Sequence, residues 1–244
     1  MVIALVTGGT KGIGLQVALQ LGKEKFYNES IHIIVTARSP NEQAFTQLKE
    51  EGISYEYLPL DLASDQSIFD LKKTIKEKYG KIDILINNAA VASSPKKDPS
   101  LRDSYLDIYS VNVAAVAIIM DEFKELLEQS KHPRIVNVSS TLGSLAVAQL
   151  PNSPQKLYTT YTITKSALNM LTIIYSQKFA EFNIKVNATC PGYCATELNG
   201  YQGTKTPQEG AKVIVRMALI KDDGVTGGFF NLEGQAENPE VIQW

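Results

Sequence analysis

Cysteine, histidine and tryptophan are scarce in this chain of 244 residues, which has two, two and one of them. The two cysteines, Cys190 and Cys194, have three residues between them and no supporting His or Cys. This spacing offers neither a zinc site nor a disulfide framework, so we expect two packing residues and no metal. His32 and His132 lie far apart, and no G-x-S-x-G motif occurs. A Ser-His-Asp hydrolase of that type therefore has no support, and we expect both histidines to be structural or surface residues.

Long hydrophobic runs and an excess of charge are also missing. The longest apolar run, Val113 to Met120, has eight residues, whereas a membrane-spanning helix needs about 20. The formal net charge of -2 argues against binding nucleic acid as the main role. The chain reaches a glycine turn at Gly8, which leaves no room for a secretory signal. We therefore expect a soluble, cytoplasmic protein that binds neither membranes nor nucleic acid.

What the chain does contain is a regular alternation of strand-like and helix-like segments. Apolar residues make up 44% of the chain and charged residues 20%, as in ordinary globular domains. Near-continuous apolar strands separated by amphipathic helices predict an α/β fold with a seven-stranded parallel sheet that is covered on both faces. We expect one Rossmann-type, doubly wound domain over residues 1–244, with the ligand at the carboxyl ends of the strands. The predicted strands cover residues 3–7, 31–37, 54–60, 82–87, 134–139, 185–190 and 229–232, and a long helix covers about 105–128.

The first strand is followed by the glycine-rich segment TGGTKGIG, Thr7 to Gly14. Gly8 would allow a sharp turn, Gly12 a close approach of a pyrophosphate, and Gly14 close packing of helix and strand. The phosphates would meet the positive end of the next helix. A glycine-rich turn without a ligand is the alternative. The predicted dinucleotide contacts here are Gly8, Thr10, Lys11, Gly12, Ile13 and Gly14.

The end of the second predicted strand indicates which dinucleotide is used. Enzymes for the unphosphorylated cofactor usually place Asp or Glu there, but this chain has Ala37 followed by Arg38 and Ser39. A guanidinium can hold a 2′-phosphate with paired hydrogen bonds, and Lys11 could supply a second cation. We therefore expect NADP(H) as the cofactor. The alternative is that Arg38 is only a solvated residue at the end of the strand, without a ligand.

Two further strand ends carry candidate cofactor contacts. Asp61 and Leu62 are placed to contact the adenine ring, although Asp61 could equally belong to the cap of the next helix. Asn88, Ala89 and Ala90 follow the fourth predicted strand, where small side chains let the backbone lie against a cofactor. A structural turn is the alternative there.

A tyrosine and a lysine four residues apart indicate proton chemistry. Tyr161 and Lys165 would share one face of a helix, and an ammonium about 4 Å from a phenol could bring its pKa near neutrality. A second match, Tyr201 and Lys205, contains Gly203 and runs into Pro207, so a helix is not expected there.

Candidate polar partners of that pair lie upstream in the chain. Ser139 and Ser140 point to opposite sides of an extended chain, so only one can reach the site and stabilise charge on a substrate oxygen. Serines at strand ends are also common turn formers. Asn112 falls within the predicted long helix, where an amide could hold a water, kink the helix or make an ordinary buried hydrogen bond.

Taken together, TGGTKGIG, LDL, NNAA, VNV, NVSS, YTITK and PGYCATEL resemble, in order, the short-chain dehydrogenase/reductase family. The resemblance spans nearly the whole chain and is nearest to the NADPH-dependent carbonyl reductases. It implies that Tyr161 protonates the carbonyl oxygen and that Lys165 lowers its pKa and holds the nicotinamide ribose. Ser140 would orient the carbonyl and Asn112 would anchor a water. The nicotinamide end would be held by Pro191, Gly192, Tyr193 and Thr196, and the substrate by Ser140, Tyr161 and Tyr193.

The sequence has three features that set it apart from the common family pattern. Ala90 stands where the family usually has Gly, the Ser140–Tyr161 spacing is longer than usual, and the lid segment, residues 196–207, is short. The longer spacing leaves the role of the loop Leu145 to Leu157 open. We expect NADPH-dependent reduction of a ketone or aldehyde by a monomer or homodimer. The alternatives are an alcohol or steroid dehydrogenase that works oxidatively, and a dinucleotide sensor without turnover.

Overall fold

The computed structural model describes residues 1–232 and 238–244, and its centre is a twisted β-sheet. Seven strands run parallel in the order β4-β3-β1-β5-β6-β7-β8, and β2 and β9 pair antiparallel with β3 and β8 at the edges. The strands are β1 Val2–Val6, β2 Lys25–Phe26, β3 Glu29–Ala37, β4 Tyr55–Pro59, β5 Ile84–Asn87, β6 Arg134–Val138, β7 Lys185–Thr189, β8 Phe229–Asn231 and β9 Glu240–Val241.

Helices cover both faces of the sheet, as a doubly wound fold requires. Side chains of β1 alternate between two cores, with Val2, Ala4 and Val6 in one and Ile3 and Leu5 in the other. The first core is closed by α1, α2 and α8, and the second by α3, α5 and α7. The helices are α1 Gly12–Leu21, α2 Glu42–Glu50, α3 Asp65–Tyr79, α4 Leu101–Tyr109, α5 Ala115–Leu127, α6 Leu145–Ala148, α7 Thr159–Lys178 and α8 Pro207–Ala218.

The predicted fold class is confirmed, with two additions at the sheet edges. The predicted seven parallel strands are present, but β2 and β9 make the sheet nine-stranded in the described part of the chain. Each is two residues long, too short to produce a hydrophobic pattern. The turn between β2 and β3 has positive φ angles at Tyr27 (49°) and Asn28 (66°), where glycine would be the usual signal.

The predicted long helix is interrupted in the structure. It begins earlier than expected, at Leu101, because Ser100 and Asp103 form a capping box. A π-helical turn, Ser110–Ala114, then separates α4 from α5 and has Asn112 at its centre. The kink that Asn112 suggested in sequence is therefore a widened turn within an otherwise continuous helix.

The loop between Ser140 and Tyr161 is partly helical. It contains α6 and a 3₁₀ turn, Pro154–Leu157. The end of the chain lies against it, because Ala146 N donates to Trp244 O (3.0 Å) and Ser144 Oγ donates to Gln243 O (2.6 Å). Of the tail Asn231 to Trp244, residues 233–237 fall outside the described residues.

The two histidines make polar contacts with neighbouring side chains, and the two cysteines pack in the interior. His32 lies between Ser54 Oγ (2.7 Å) and Tyr79 Oη (3.0 Å), and His132 pairs with Asp222 (2.8 Å). The two cysteines are buried and free. No helix in residues 1–232 or 238–244 combines the length and apolar character needed to cross a bilayer.

Candidate active site

The glycine loop after β1 forms a cradle that side chains would fill. Gly8 and Gly12 have φ angles of 64° and 52°, which favour glycine. A Cβ atom on Gly14 would lie 2.2 Å from Gly8 O and 2.5 Å from Asn88 Nδ2, so the start of α1 packs directly against the loop. At Gly12 the nearest atom to such a Cβ is a methyl group of Thr196, at 3.5 Å. This shape fits a pyrophosphate at the amino terminus of α1.

Asn88 holds the glycine loop against the end of β5. Its Nδ2 donates to Thr7 O (2.8 Å) and its backbone N–H donates to Thr7 Oγ1 (2.9 Å). A Cβ on Gly8 would lie 3.1 Å from Ala89 Cβ, while Ala90 is half-buried beyond it. The Asn88 side chain therefore stabilises the turn itself, which was the alternative interpretation. The small side chains of Ala89 and Ala90 leave the backbone accessible beside the glycine loop.

The residues expected to select the phosphorylated cofactor are exposed. Arg38 and Ser39 lie at the surface after β3. Lys11 is also exposed, but its Nζ is paired with Glu197 Oε2 at 2.6 Å. Among the described residues, Arg38 makes no hydrogen bond or ion pair, so its guanidinium is available to a phosphate.

The adenine-side candidates are partly engaged elsewhere. The carboxylate of Asp61 is exposed and accepts a hydrogen bond from Ala63 N (3.0 Å), a local turn contact. Ser64, not Asp61, caps α3. The side chain of Leu62 is 9% exposed and belongs to the core, so only its backbone can contact a ring.

Lys165 is a buried cation on α7. It is 3% exposed, its Nζ donates to Val138 O (2.7 Å), and this Nζ lies 5.4 Å from the ring centroid of Tyr161. Burial lowers the pKa of Lys165 to about 8. An ammonium has three donors, and Val138 O is its one acceptor in the described part of the chain. The unused donors fit the hydroxyls of a ribose.

The pKa of Tyr161 departs from the expectation. Burial raises the pKa of the phenol above its ordinary value, and a negative charge on Cys190 would raise it further. The expectation of a phenol near neutrality was wrong for the cofactor-free protein, because burial disfavours the charged phenolate. The phenol therefore stays protonated at neutral pH, and its hydroxyl makes no hydrogen bond to the described residues.

The two serines after β6 face in different directions, as predicted. Ser139 is 2% exposed and its hydroxyl donates to Asn169 Oδ1 (2.5 Å), so it is held within the core. Ser140 is half-buried, and its Oγ accepts from Leu142 N (3.2 Å), which leaves its proton to donate. Ser140 is therefore the serine that can serve a substrate.

Asn112 is a positioning residue. Its Oδ1 accepts from Val91 N (2.9 Å), and its Nδ2 donates to Val91 O (2.9 Å) and to Thr164 Oγ1 (3.1 Å). With both amide protons used, the side chain ties the loop after β5 to α7. The structure shows the ordinary buried hydrogen bonds and the altered helix that the sequence left open for Asn112.

The segment after β7 forms the remaining wall. Pro191 is buried, Gly192 has a φ of 83°, and Tyr193 is 47% exposed. Thr196 lies against Gly12, so the lid segment, residues 196–207, touches the glycine loop. The segment predicted to hold the nicotinamide end therefore lies next to the loop predicted to hold the phosphates.

Several residues that shape the site were missed in the sequence. The Sγ of Cys190 accepts from Thr141 N (3.2 Å) and Gly192 N (3.4 Å), which joins the loops after β6 and β7. Asn169 Nδ2 donates to Gly143 O (3.1 Å) and so fixes the turn that follows Ser140. The position of Asn169, four residues after Lys165 on the same helix, was the available signal.

These features define a nucleotide-binding oxidoreductase site on a Rossmann-type fold. The chain matches the family described as short chain dehydrogenase over residues 2–207, and it belongs to that family.

Curated relatives agree with this assignment. The chain is 37% identical to the short-chain dehydrogenase anuI of Penicillium roqueforti over 88% of each chain. It is 28% identical to carbonyl reductase [NADPH] 1 of Sus scrofa, over 99% of this chain and 94% of the relative. The NADPH-bound carbonyl reductase from chicken fatty liver has a TM-score of 0.83 and 26% identity, over 100% of this chain and 98% of that one.

Replacing Lys165 by Met is expected to stabilise the cofactor-free protein near pH 7. The folded-state pKa of about 8 lies below the unfolded value of 10.5, so burial of the charge costs about 3 kcal/mol. That cost is complete below pH 8 and disappears as the pH rises to 10.5. The variant also loses the hydrogen bond from Lys165 to Val138 O, which offsets about 1–3 kcal/mol of its gain in stability at every pH.

Urea unfolding of the two proteins from pH 7 to 10.5 measures this effect. The difference in unfolding free energy should shift by about 3 kcal/mol in favour of the wild type as the pH rises. Lys97→Met, which removes an exposed ammonium, is the control and should follow the wild-type profile. A pH-independent difference for Lys165→Met would contradict the lowered pKa.

Proposed function

We propose that this protein reduces a ketone or aldehyde to an alcohol with NADPH, with Tyr161 as the proton donor. The observation that carries the proposal is the protonated phenol of Tyr161 beside the buried ammonium of Lys165, on a helix packed against the end of β6. The names of the pig and chicken relatives, which are NADPH carbonyl reductases, support it.

The chain's own residues would divide the work between binding and proton transfer. The glycine loop would hold the phosphates, and Lys165 would donate to the ribose hydroxyls. NADPH bound there would supply the hydride for the reduction. Ser140 donates a hydrogen bond to the carbonyl oxygen, and Tyr161 gives its proton to the same oxygen as negative charge develops there. The ammonium of Lys165 stabilises the phenolate that is left on Tyr161.

The proton on Tyr161 suits reduction of a carbonyl. A phenol that is protonated at neutral pH is ready to donate, whereas oxidation of an alcohol requires a phenolate that accepts a proton. Because one site catalyses both directions, assays in both directions separate reduction from the alternative of an oxidative alcohol or steroid dehydrogenase. Purified protein with NADPH and a panel of activated ketones tests the proposal through the loss of absorbance of the reduced cofactor. Tight NADPH binding without turnover of any carbonyl would instead support a dinucleotide sensor.

The preference for NADPH is assigned to Arg38, with Ser39 beside it and Lys11 as a second cation. Arg38→Asp is expected to weaken NADPH binding by about 10²-fold, because a charge-assisted pair is replaced by a repelling carboxylate. NADH binding should be retained or improved, since a carboxylate can accept from ribose hydroxyls. Fluorescence titration with each cofactor measures the ratio of the two Kd values.

The matched control for Arg38→Asp is Lys131→Asp, which makes the same charge change before the amino end of β6, whereas Arg38 follows the carboxyl end of β3. It should leave the NADPH to NADH ratio within about twofold, since a charge beyond the Debye length is screened. An unchanged ratio in Arg38→Asp would remove the 2′-phosphate assignment.

The partners in this proposal are a small-molecule carbonyl compound and no macromolecule other than a second copy of the chain. We propose a cytoplasmic monomer or homodimer, and light scattering during size-exclusion chromatography measures which. The two buried free cysteines accord with a reducing compartment.

A further inference from the structure

The lid and the glycine loop are joined by an ion pair between distant parts of the chain. Lys11 Nζ lies 2.6 Å from Glu197 Oε2, and both side chains are 65% exposed. Lys11 makes no other hydrogen bond or ion pair with the described residues. The ammonium also holds the pKa of the Glu197 carboxyl below its usual value, so the pair is charged on both sides at neutral pH.

The backbone of Glu197 is held firmly enough to keep its carboxylate near Lys11. Glu197 begins a 3₁₀ turn, Glu197–Asn199, in which Thr196 and Asn199 form a capping box. Asn199 Nδ2 donates to Cys194 O (2.8 Å), which fixes this turn to the start of the lid. Thr196 in turn lies against Gly12. The carboxylate thus lies beside the glycine loop.

We propose that Glu197 tunes the affinity for the 2′-phosphate of the cofactor by competing with it for Lys11. The inference rests on the proposed function, in which Lys11 and Arg38 bind that phosphate. A phosphate that approaches Lys11 must share it with the carboxylate or displace it, and the two anions repel each other. NADH has the same pyrophosphate but no 2′-phosphate, so its binding does not meet this competition. Glu197 is therefore a specificity-determining residue that weakens NADPH binding and leaves NADH binding unchanged.

Glu197→Gln separates this competition from a merely structural role, because glutamine keeps the shape and removes the charge. At low ionic strength we expect the Kd for NADPH to fall by about three- to tenfold and the Kd for NADH to change by less than twofold. In 1 M salt the gain should largely disappear, because the Debye length is then about 3 Å. Glu24→Gln, at the other end of α1, makes the same charge change and should alter neither Kd.

A double-mutant cycle with Lys11→Met completes the test. In the Lys11→Met background, the lysine for which the two anions compete is gone, so Glu197→Gln should change NADPH affinity clearly less than in the wild type. An equal or larger gain in that background would show direct repulsion between Glu197 and the phosphate and would overturn the competition for Lys11. A wild-type protein that binds NADPH no better than NADH would overturn the proposed cofactor preference. A clear NADPH preference that Glu197→Gln leaves unchanged or weakens would overturn only the role of Glu197.

Discussion

Tyr161→Phe is expected to lower kcat for carbonyl reduction by about 10²–10⁴-fold, the range that a positioned general acid contributes. Phenylalanine keeps the ring that lies 5.4 Å from Lys165 Nζ and removes only the hydroxyl that gives the proton. Because this hydroxyl bonds to no described residue, its loss should leave the unfolding midpoint almost unchanged. Cofactor binding should also persist, since the glycine loop and Lys165 remain.

The second Y-x3-K match in the sequence provides the control for this variant. Tyr201 is 70% exposed and has a positive φ of 62°, so it does not share a helix with Lys205. Tyr201→Phe should keep kcat within about twofold of the wild type. Steady-state kinetics with NADPH and one ketone, together with NADPH titration, measure both variants. A Tyr161→Phe protein that retains a tenth or more of the wild-type kcat would show that another group delivers the proton.

The fold could be predicted from the sequence because its signals are local and repeated. Each parallel strand is an apolar run such as that of β3, bounded by a helix with a clear apolar face. The edge strands were missed because β2 and β9 each contribute only two residues, and their pairing depends on tertiary contacts. The sequence suggested a kink at Asn112 but not its π-helical form, nor the bonds of Asn112 to Val91 and Thr164, which are distant in sequence.

The candidate site was predictable in its residues more than in its electrostatics. The spacing of Tyr161, Lys165 and Ser140 in the sequence is recognisable. In the structure, α7, which carries Tyr161 and Lys165, packs against the end of β6, which leads to Ser140. The pKa of Tyr161 was predicted in the wrong direction, because the sequence shows the ammonium four residues away but not the burial that opposes it. The Lys11–Glu197 pair was likewise invisible, since chain topology alone brings these residues together.

The turn after Ser140 depends on a close approach that only glycine permits. A Cβ on Gly143 would lie 2.5 Å from the carbonyl carbon of Lys165 and 2.8 Å from Ser166 N, both backbone atoms of α7. The turn has little room to move away, because Gly143 N donates to Ser140 O (2.8 Å) and Gly143 O accepts from Asn169 (3.1 Å). A methyl group at this position must therefore separate the Ser140 turn from the helix that carries Lys165.

Gly143→Ala is accordingly expected to lower kcat by about 10²-fold, the effect of misplacing catalytic groups by about 1 Å. The same overpacking should reduce the unfolding free energy by about 1–3 kcal/mol. NADPH affinity should fall far less than kcat, because the phosphate cradle lies on the other side of the cleft, after β1. Kinetics, urea unfolding and NADPH titration of one preparation separate these three effects.

Gly80→Ala is the control that separates the close contact of Gly143 with α7 from the general cost of replacing a glycine. Gly80 ends α3 with a φ of 69°, and nothing lies within 4 Å of the position that its Cβ would take. This variant should lose about 1 kcal/mol of stability through backbone strain and keep its kcat. If Gly143→Ala behaved in the same way, with lower stability but full turnover, the packing of this turn on α7 would not position Ser140. A loss of turnover confined to Gly143→Ala would instead show that the contact between this turn and α7 sets the geometry in which Ser140 and Tyr161 share one substrate oxygen.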